Sequence, residues 1–249
     1  MPHLPFPMPY ILFISDLHLS PATPELLLQF QRFLASDAVR QADALYILGD
    51  LFDAWIGDDD PSPFAAQVRD LLREAGAHTR LYFQQGNRDF LLGADFASVA
   101  NMQLLPEEHV IQIGGQPVLL LHGDQLCTDD KDYQQARKLF RSPQFQAQTL
   151  AMSIPERIKK AAEIRQMSGE AKAMKSSEIM DVNQQAVEVM MHKHGVRRLI
   201  HGHTHRPATH EFELDGQPAE RIVLADWKTE GSFTLQVDAG SGEAQIVAV

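Results

Sequence analysis

Short apolar runs alternate with amphipathic segments through the first half of the chain. Tyr10–Ser15 and Ala44–Leu48 are almost wholly apolar, which is typical of strands that are buried on both faces. Pro24–Ala35 and Phe64–Ala75 instead repeat apolar residues at helical spacing, so each predicts a helix with one buried face. Strands that alternate with helices predict βαβ units and a mainly parallel sheet.

The pattern changes twice in the second half. Over residues 130–194 the strand signals vanish and apolar residues recur at helical spacing. We therefore predict one α/β domain over residues 10–249, with a helical insertion over residues 130–194. The proline-rich residues 1–9 predict a loose N-terminal extension. The other predicted strands are Leu81–Phe83, Val110–Ile113, Pro117–Leu121, Arg198–Ile200, Thr209–Leu214, Arg221–Ala225, Phe233–Val237 and Ala244–Val249.

Five polar segments follow predicted strands and hold the residue types that bind divalent metal ions. In open α/β sheets, ligands bind in the crevice at the carboxyl ends of the strands, so we expect the segments to form one site. Carboxylates, imidazoles and one amide, without a thiolate, suit Mn²⁺, Fe²⁺ or Zn²⁺. The segments are Asp16-Leu17-His18, Gly49-Asp50-Leu51-Phe52-Asp53, Gly86-Asn87-Arg88-Asp89, His122-Gly123-Asp124 and Gly202-His203-Thr204-His205.

The spacing within these segments predicts two ligand sets that share one carboxylate. Residues i and i+2 of a strand lie on one face, so Asp16 and His18 can face one ion, as can His203 and His205. Asp50 lies on a middle segment, where its carboxylate can bridge two ions. Two neighbouring ions clamp a phosphoryl group and activate the attacking water. The predicted sets are Asp16, His18, Asp50 and His205 for one ion, and Asp50, Asn87, His122 and His203 for the other.

The roles of four further residues in or next to these segments stay open. Asp53, Asp89 and Asp124 could orient metal ligands by accepting hydrogen bonds, or could cap turns and helices. His201 precedes the last segment and is interpreted as a supporting or structural residue rather than a ligand.

The order of the five motifs, D-x-H, G-D-x-x-D, G-N-[RH]-[DE], H-G-D and G-H-x-H, resembles that of the calcineurin-like metallophosphoesterases. Longer strings at residues 49–60, 86–93, 126–130 and 179–184 resemble the hydrolases of UDP-2,3-diacylglucosamine in lipid A biosynthesis. The resemblance implies an αββα sandwich and two divalent ions, most commonly Mn²⁺. It also implies cleavage of a UDP-linked diacylated glucosamine at its pyrophosphate, releasing UMP and the acylated sugar 1-phosphate.

Arg88 is a separate indication that the substrate contains a pyrophosphate. Many metallophosphoesterases place a histidine there, which can protonate an alkoxide leaving group. Arginine cannot act as an acid near neutral pH, but it binds phosphate oxygens through two parallel hydrogen bonds. A phosphate leaving group, with a second pKa of about 6, hardly needs a proton. The alternative is that Arg88 forms a structural pair with Asp89 or another neighbour. The predicted catalytic residues are Asn87, Arg88 and His203.

Charge is unevenly placed along the chain. The formal net charge is −11, which argues against general nucleic-acid binding. Residues 131–175 nevertheless carry ten basic and four acidic residues. A solvated helical face is one explanation, and an anionic ligand or surface is the other. The resemblance favours a lid that sheathes acyl chains, and it gives as substrate contacts Asn87, Arg88, Asp130, Ser168, Lys172, Lys175 and His203.

The same lid combines basic residues with apolar ones, which favours peripheral docking on an anionic bilayer. Phe140, Phe145, Leu150 and Ile158 could instead pack the insertion onto the body. The single cysteine, Cys127, fits a reducing compartment, and no apolar run reaches the roughly 18 residues that span a bilayer. We expect a cytoplasmic protein that binds the cytoplasmic face of the inner membrane. Two other functions stay open: hydrolysis of a soluble nucleotide or phosphodiester, and a non-catalytic scaffold.

Overall fold

A computed structural model of the chain describes the backbone of residues 9–173 and 179–249, and the side chains of residues 9–167 and 179–249. The predicted extension at residues 1–9 lies outside the described residues except for its last member. Two sheets form the centre of the fold.

The first sheet has six strands in the order β11-β10-β1-β2-β3-β4. Strands β1, β2, β3 and β4 run parallel to one another. Strand β10 pairs antiparallel with β1, and β11 pairs antiparallel with β10. The parallel part therefore agrees with the predicted βαβ pattern. The strands are β1 (Tyr10–Ile14), β2 (Ala44–Leu48), β3 (Arg80–Gln84), β4 (Met102–Leu105), β10 (Phe233–Asp238) and β11 (Ala244–Ala248).

The second sheet has five strands in the order β5-β6-β7-β9-β8. Its middle strands β6, β7 and β9 are parallel, and the antiparallel strands β5 and β8 form its edges. The strands are β5 (His109–Ile113), β6 (Gln116–Leu121), β7 (Arg198–His201), β8 (Ala208–Leu214) and β9 (Gln217–Val223).

Alternate residues of β1 enter two different cores, which shows how the layers stack. Ile11 and Phe13 pack with Leu120 and Ile200 of the second sheet. Leu12 and its neighbours on the other face pack against helices α1 (Pro24–Leu34) and α3 (Pro63–Ala75). A third core covers the outer face of the second sheet. The layers are therefore helix, sheet, sheet and helix, and the predicted αββα sandwich is confirmed.

In the described residues between β6 and β7, where the sequence predicts a helical insertion, the chain forms four α-helices. They are α5 (Lys131–Phe140), α6 (Pro143–Leu150), α7 (Ile154–Ala173) and α8 (Gln184–His194). The helix α8 buries Val187 and Met191 against the second sheet and so belongs to the outer layer. In the described part of the chain, no helix is both long and apolar enough to cross a bilayer.

Candidate metal centre

The predicted ligands lie in five loops that leave the strands at one edge of the sandwich. Asp16 and Asp50 follow β1 and β2, and Asn87 follows β3, all in the first sheet. His122 follows β6 of the second sheet. His203 and His205 follow β7 in the same sheet. The site therefore lies where the two sheets meet, and both sheets contribute to it.

The backbone of these loops corrects one step of the sequence argument. Asp16 and His18 do not share the face of a strand, because β1 ends at Ile14. Both instead have left-handed backbone, with φ of 55° and 49°. His203 and His205 likewise lie beyond β7, with φ of 69° and 55°. Their side chains converge because the loops turn sharply, not because strand residues alternate.

Asp16, His18 and His205 form the first cluster of potential ligand atoms. The Nε2 atoms of the two histidines are 3.2 Å apart, and His205 Nε2 lies 3.4 Å from Asp16 Oδ1. The other oxygen of Asp16 accepts a hydrogen bond of 2.8 Å from the backbone N–H of His203. The Asp16 carboxylate is thus fixed with one oxygen directed at the two imidazoles.

Asn87, His122 and His203 form the second cluster. Asn87 Oδ1 lies 3.0 Å from His122 Nε2 and 2.9 Å from His203 Nδ1. Asp50 stands between the clusters, with one oxygen 3.9 Å from His18 Nδ1 and the other 3.7 Å from His122 Nε2. The structure therefore brings together all seven predicted ligands and places Asp50 where a bridging carboxylate would be needed.

The side chains of both clusters have features that favour the binding of divalent ions. Asp16 Oδ1 and His18 Nδ1 are buried and have no hydrogen-bond partner among the described residues. His122 Nδ1 lies 2.9 Å from the carbonyl oxygen of Leu48, to which its N–H donates. In the neutral ring with this tautomer, Nε2 carries the lone pair that could bind a metal. The donor set contains no thiolate, which favours Mn²⁺, Fe²⁺ or Zn²⁺.

The buried carboxylates Asp50 and Asp89 repel one another in the protein without ions. Burial raises the pKa of both groups, and Asp50 raises that of Asp89 further. Burial also lowers the pKa of His18 to about 4, so this imidazole is neutral at physiological pH. A cation bound beside Asp50 would offset this repulsion, because an opposite charge favours the ionised form of a carboxylate.

The structure distinguishes the roles of the three uncertain carboxylates. Asp89 supports the ligand loops, because it accepts hydrogen bonds from the backbone N–H groups of Gly86 (2.7 Å) and Leu51 (2.7 Å). These acceptor contacts argue against the alternative in which Asp89 pairs with Arg88. Asp53 forms an ion pair with Arg165 of α7, and Asp124 bonds to α5. None of the three caps a helix.

His201 is structural. It is fully buried, and its Nε2 lies 3.1 Å from Nη1 of the buried Arg221, which donates to it. Burial, with a contribution from Arg221, lowers the pKa of His201 to about 3, so the ring stays neutral. This agrees with its interpretation as a residue outside the ligand set.

One cavity of about 500 Å³ joins the metal centre to the helices α5, α6 and α7. Asn87, Arg88, His203 and His205 line this cavity. Apolar rings line it too, and those of Phe90 and Phe140 stack with centroids 5.8 Å apart. Phe145 packs on the same pair. The basic side chains of Arg137, Arg141, Arg157, Lys160 and Arg165 also line the cavity.

The predicted substrate contacts are only partly described. Asp130 lines the cavity and also begins α5, where its carboxylate accepts a hydrogen bond of 3.0 Å from the N–H of Tyr133. The side chains of Ser168 and Lys172 lie outside the described residues, as does the whole of Lys175.

Sequence reasoning missed one carboxylate beside the ligands. Asp226 Oδ2 lies 3.4 Å from Nδ1 of His205, on the side of the ring opposite Asp16. Carboxylates in this position orient metal-binding histidines. No motif includes Asp226, and only the proximity of its loop in space could have identified it.

The fold agrees with comparisons to known proteins. The family model described as calcineurin-like phosphoesterase matches residues 9–207. The chain belongs to this family of metal-dependent phosphoesterases. The resemblance drawn from the five motifs is thus confirmed.

Curated relatives indicate which kind of phosphoesterase this chain is similar to. The chain is 50% identical to UDP-2,3-diacylglucosamine hydrolase of Chromohalobacter salexigens, over 91% of this chain and 92% of that one. It is 53% identical to the protein of the same name in Escherichia coli O17:K52:H18, over 89% and 92%. A hypothetical protein of Pyrococcus horikoshii OT3 has a similar fold, with a TM-score of 0.50 and 11% identity over 97% of this chain and 88% of that chain.

Proposed function

We propose that the protein hydrolyses the pyrophosphate bond of UDP-2,3-diacylglucosamine, releasing UMP and 2,3-diacylglucosamine 1-phosphate for lipid A biosynthesis. The observation that carries this proposal is a cavity lined both by side chains of the candidate metal centre and by apolar side chains of the helices. A phosphate-bearing lipid combines the same two chemistries. The substrate name comes from relatives that are about half identical over nearly the whole chain.

Two divalent ions would be held by the two clusters, with Asp50 between them. Each ion would polarise the phosphoryl group and supply an activated water. Mn²⁺ is the proposed ion, because carboxylate, amide and imidazole donors without sulfur suit it. The assignment of Asp16, His18, Asp50, Asn87, His122, His203 and His205 as ligands is part of this proposal.

Arg88 binds the departing phosphate in the proposed reaction. Arg88 lines the cavity, and its backbone N–H donates 2.8 Å to Asp50 Oδ1, which ties it to the metal centre. The planar guanidinium would bind two phosphate oxygens at once and stabilise the charge that develops there. Asn87 Oδ1 and His203 Nδ1 lie 2.9 Å apart and line the same cavity, so both side chains would contact the substrate beside Arg88.

The helices α5, α6 and α7 form the proposed lid over the lipid. Their apolar side chains would surround the acyl chains, while Asp130, Ser168, Lys172 and Lys175 would contact the sugar and phosphate. Leu139, Ile158 and Met167 are exposed on the same helices. Such apolar residues beside basic ones favour peripheral binding to the cytoplasmic face of the inner membrane.

Hydrolysis of UDP-2,3-diacylglucosamine by two ligand variants tests the proposal. We expect Asn87→Ala and His122→Ala each to lower turnover by at least roughly 100-fold, because each removes a ligand atom. His78→Ala is the matched control, since this exposed histidine lies far from the cavity. Near-wild-type turnover in either ligand variant, or equal hydrolysis of a soluble phosphodiester lacking acyl chains, contradicts the proposal.

A further inference from the structure

Helix α5 and Arg141, the residue that follows it, contact two of the three loops that carry the second cluster of ligands. Nη2 of Arg141 donates to the carbonyl oxygens of Gln85 and Gly86, at 3.1 Å each. These two residues immediately precede Asn87. A single guanidinium thus holds the backbone that presents the Asn87 amide.

Arg137, one turn earlier on α5, holds the other loop. Its Nε donates 2.8 Å to Asp124 Oδ2, and the hydroxyl of Tyr133 donates 3.2 Å to the same oxygen. Asp124 is fully buried and follows His122 by two residues. These two contacts fix the Asp124 carboxylate against α5.

Glu107 connects the two arginines. Arg137 Nη2 lies 3.0 Å from one oxygen of Glu107, and Arg141 Nη1 lies 3.1 Å from the other. Residues four apart lie on one face of a helix, so both guanidiniums reach the same carboxylate. The two arginine side chains are largely sheltered, at 12% and 10% exposure, whereas Glu107 is 44% exposed, so solvent partly screens these ion pairs.

From these contacts we propose that Arg137 and Arg141 are positioning residues, which hold Asn87 and His122 at the spacing that the second ion requires. The first helix of the lid would then also be a part of the metal centre. The inference rests on the proposed function, because it takes the second cluster as a metal site. The proposed role of Arg137 and Arg141 is to hold the ligand loops, although both side chains also line the cavity.

Metal binding without substrate separates positioning from substrate contact. We would prepare the metal-free full chain as wild type, Arg141→Lys and Arg137→Lys, and titrate each with Mn²⁺ against a competing chelator. Lysine keeps the charge but cannot make the forked contacts of a guanidinium. We expect affinity for one ion to fall by about 10–100-fold, as for other residues that support metal ligands. Affinity for the other ion stays near that of the wild type.

The spin coupling of two neighbouring Mn²⁺ ions, measured by electron paramagnetic resonance, is the second readout. At an Mn²⁺ concentration that saturates the wild type, we expect the coupled signal to weaken in both variants. Arg157→Lys is the matched control, because Arg157 joins α7 to the carbonyl oxygen of Ile56 and to Asp59 rather than to a ligand loop. Its affinity for both ions should equal that of the wild type.

Two results overturn the inference: both α5 variants bind two ions as the wild type does, or Arg157→Lys loses the second ion equally. Melting curves of the metal-free proteins identify a variant that fails to fold, and the remaining α5 variant then decides. Wild-type protein that binds fewer than two ions contradicts the proposed function itself. The two failures are therefore distinguishable.

Discussion

Side chains at the metal centre are presented from backbone that residues other than glycine rarely adopt. Asp16, His18, Asp50, His203 and His205 all have φ between 49° and 69°. Each such residue costs on the order of 1 kcal/mol and persists only when the surrounding structure enforces it. The hydrogen bonds that Asp89 and Asp16 accept from neighbouring loops supply that enforcement.

Close approach at Gly86 predicts a severe effect of one methyl group. A Cβ at Gly86 would lie 2.2 Å from Asp50 Oδ1 and 2.4 Å from Asp50 N. We expect Gly86→Ala to displace the Asp50 carboxylate and to lower Mn²⁺ affinity by at least about 10-fold. Gly240→Ala is the control, because its nearest contact is an ordinary 3.4 Å to Asp238. Equal Mn²⁺ affinity of the two variants in a chelator competition would contradict this prediction.

The only cysteine in the chain should react slowly. Burial, aided by Asp124, raises the pKa of the Cys127 thiol to about 12. The reactive thiolate is therefore scarce below that pH, whereas an ordinary thiol is substantially ionised near pH 9. We expect alkylation by iodoacetamide, followed by mass spectrometry, to be slow in the native protein at pH 8–9 and fast in guanidinium. Rapid native labelling at pH 8 would show that the thiol is accessible and ionised.

Elements with a clear apolar pattern were predicted from the sequence. The continuous apolar run of β2 and the amphipathic face of α3 made both visible. The helices α2 (Asp37–Gln41) and α4 (Ala94–Val99) were missed because each spans fewer than two turns, and the strand β4 was missed because a polar residue interrupts its four positions. Asp226 and the α5 contacts were missed because they join residues far apart in the chain.

Two substitutions of Asp130, at the start of α5, distinguish the effect of helix capping from the effect of charge. Asp130→Ala removes the carboxylate that accepts the Tyr133 N–H, so we expect the free energy of unfolding to fall by about 1 kcal/mol. Asp130→Asn keeps an acceptor at the same position and should be close to wild type. Urea denaturation measures both. If the asparagine variant loses as much stability as the alanine variant, the charge rather than the cap stabilises the helix.

At the scale of the whole molecule, the metal centre joins the two sheets. Asp16, Asp50 and Asn87 come from loops of the first sheet, whereas His122, His203 and His205 come from loops of the second. Ions bound between them would cross-link the sandwich at one edge. Stability and metal content should therefore rise together, because a ligand that binds only the folded state stabilises it.

Thermal unfolding tests this coupling. At Mn²⁺ a hundredfold above its dissociation constant, one ion stabilises the fold by about 2.7 kcal/mol. For a chain of this size the melting temperature should rise by roughly 5–10 °C. Calorimetry of the metal-free and Mn²⁺-loaded protein measures the shift, and His122→Ala should reduce it. An unchanged melting temperature in the wild type would contradict a site shared by both sheets.

The left-handed ligand loops also restrict how the protein could evade an inhibitor. At positions such as His18 and His205, a replacement must both bind the ion and accept a positive φ, and few amino acids do both. The apolar residues around Phe140 and Phe145 need neither bind an ion nor adopt a positive φ. We expect resistance to an inhibitor that fills the whole cavity to arise in the helical wall, and an inhibitor held mainly by the metal centre to select few resistant variants.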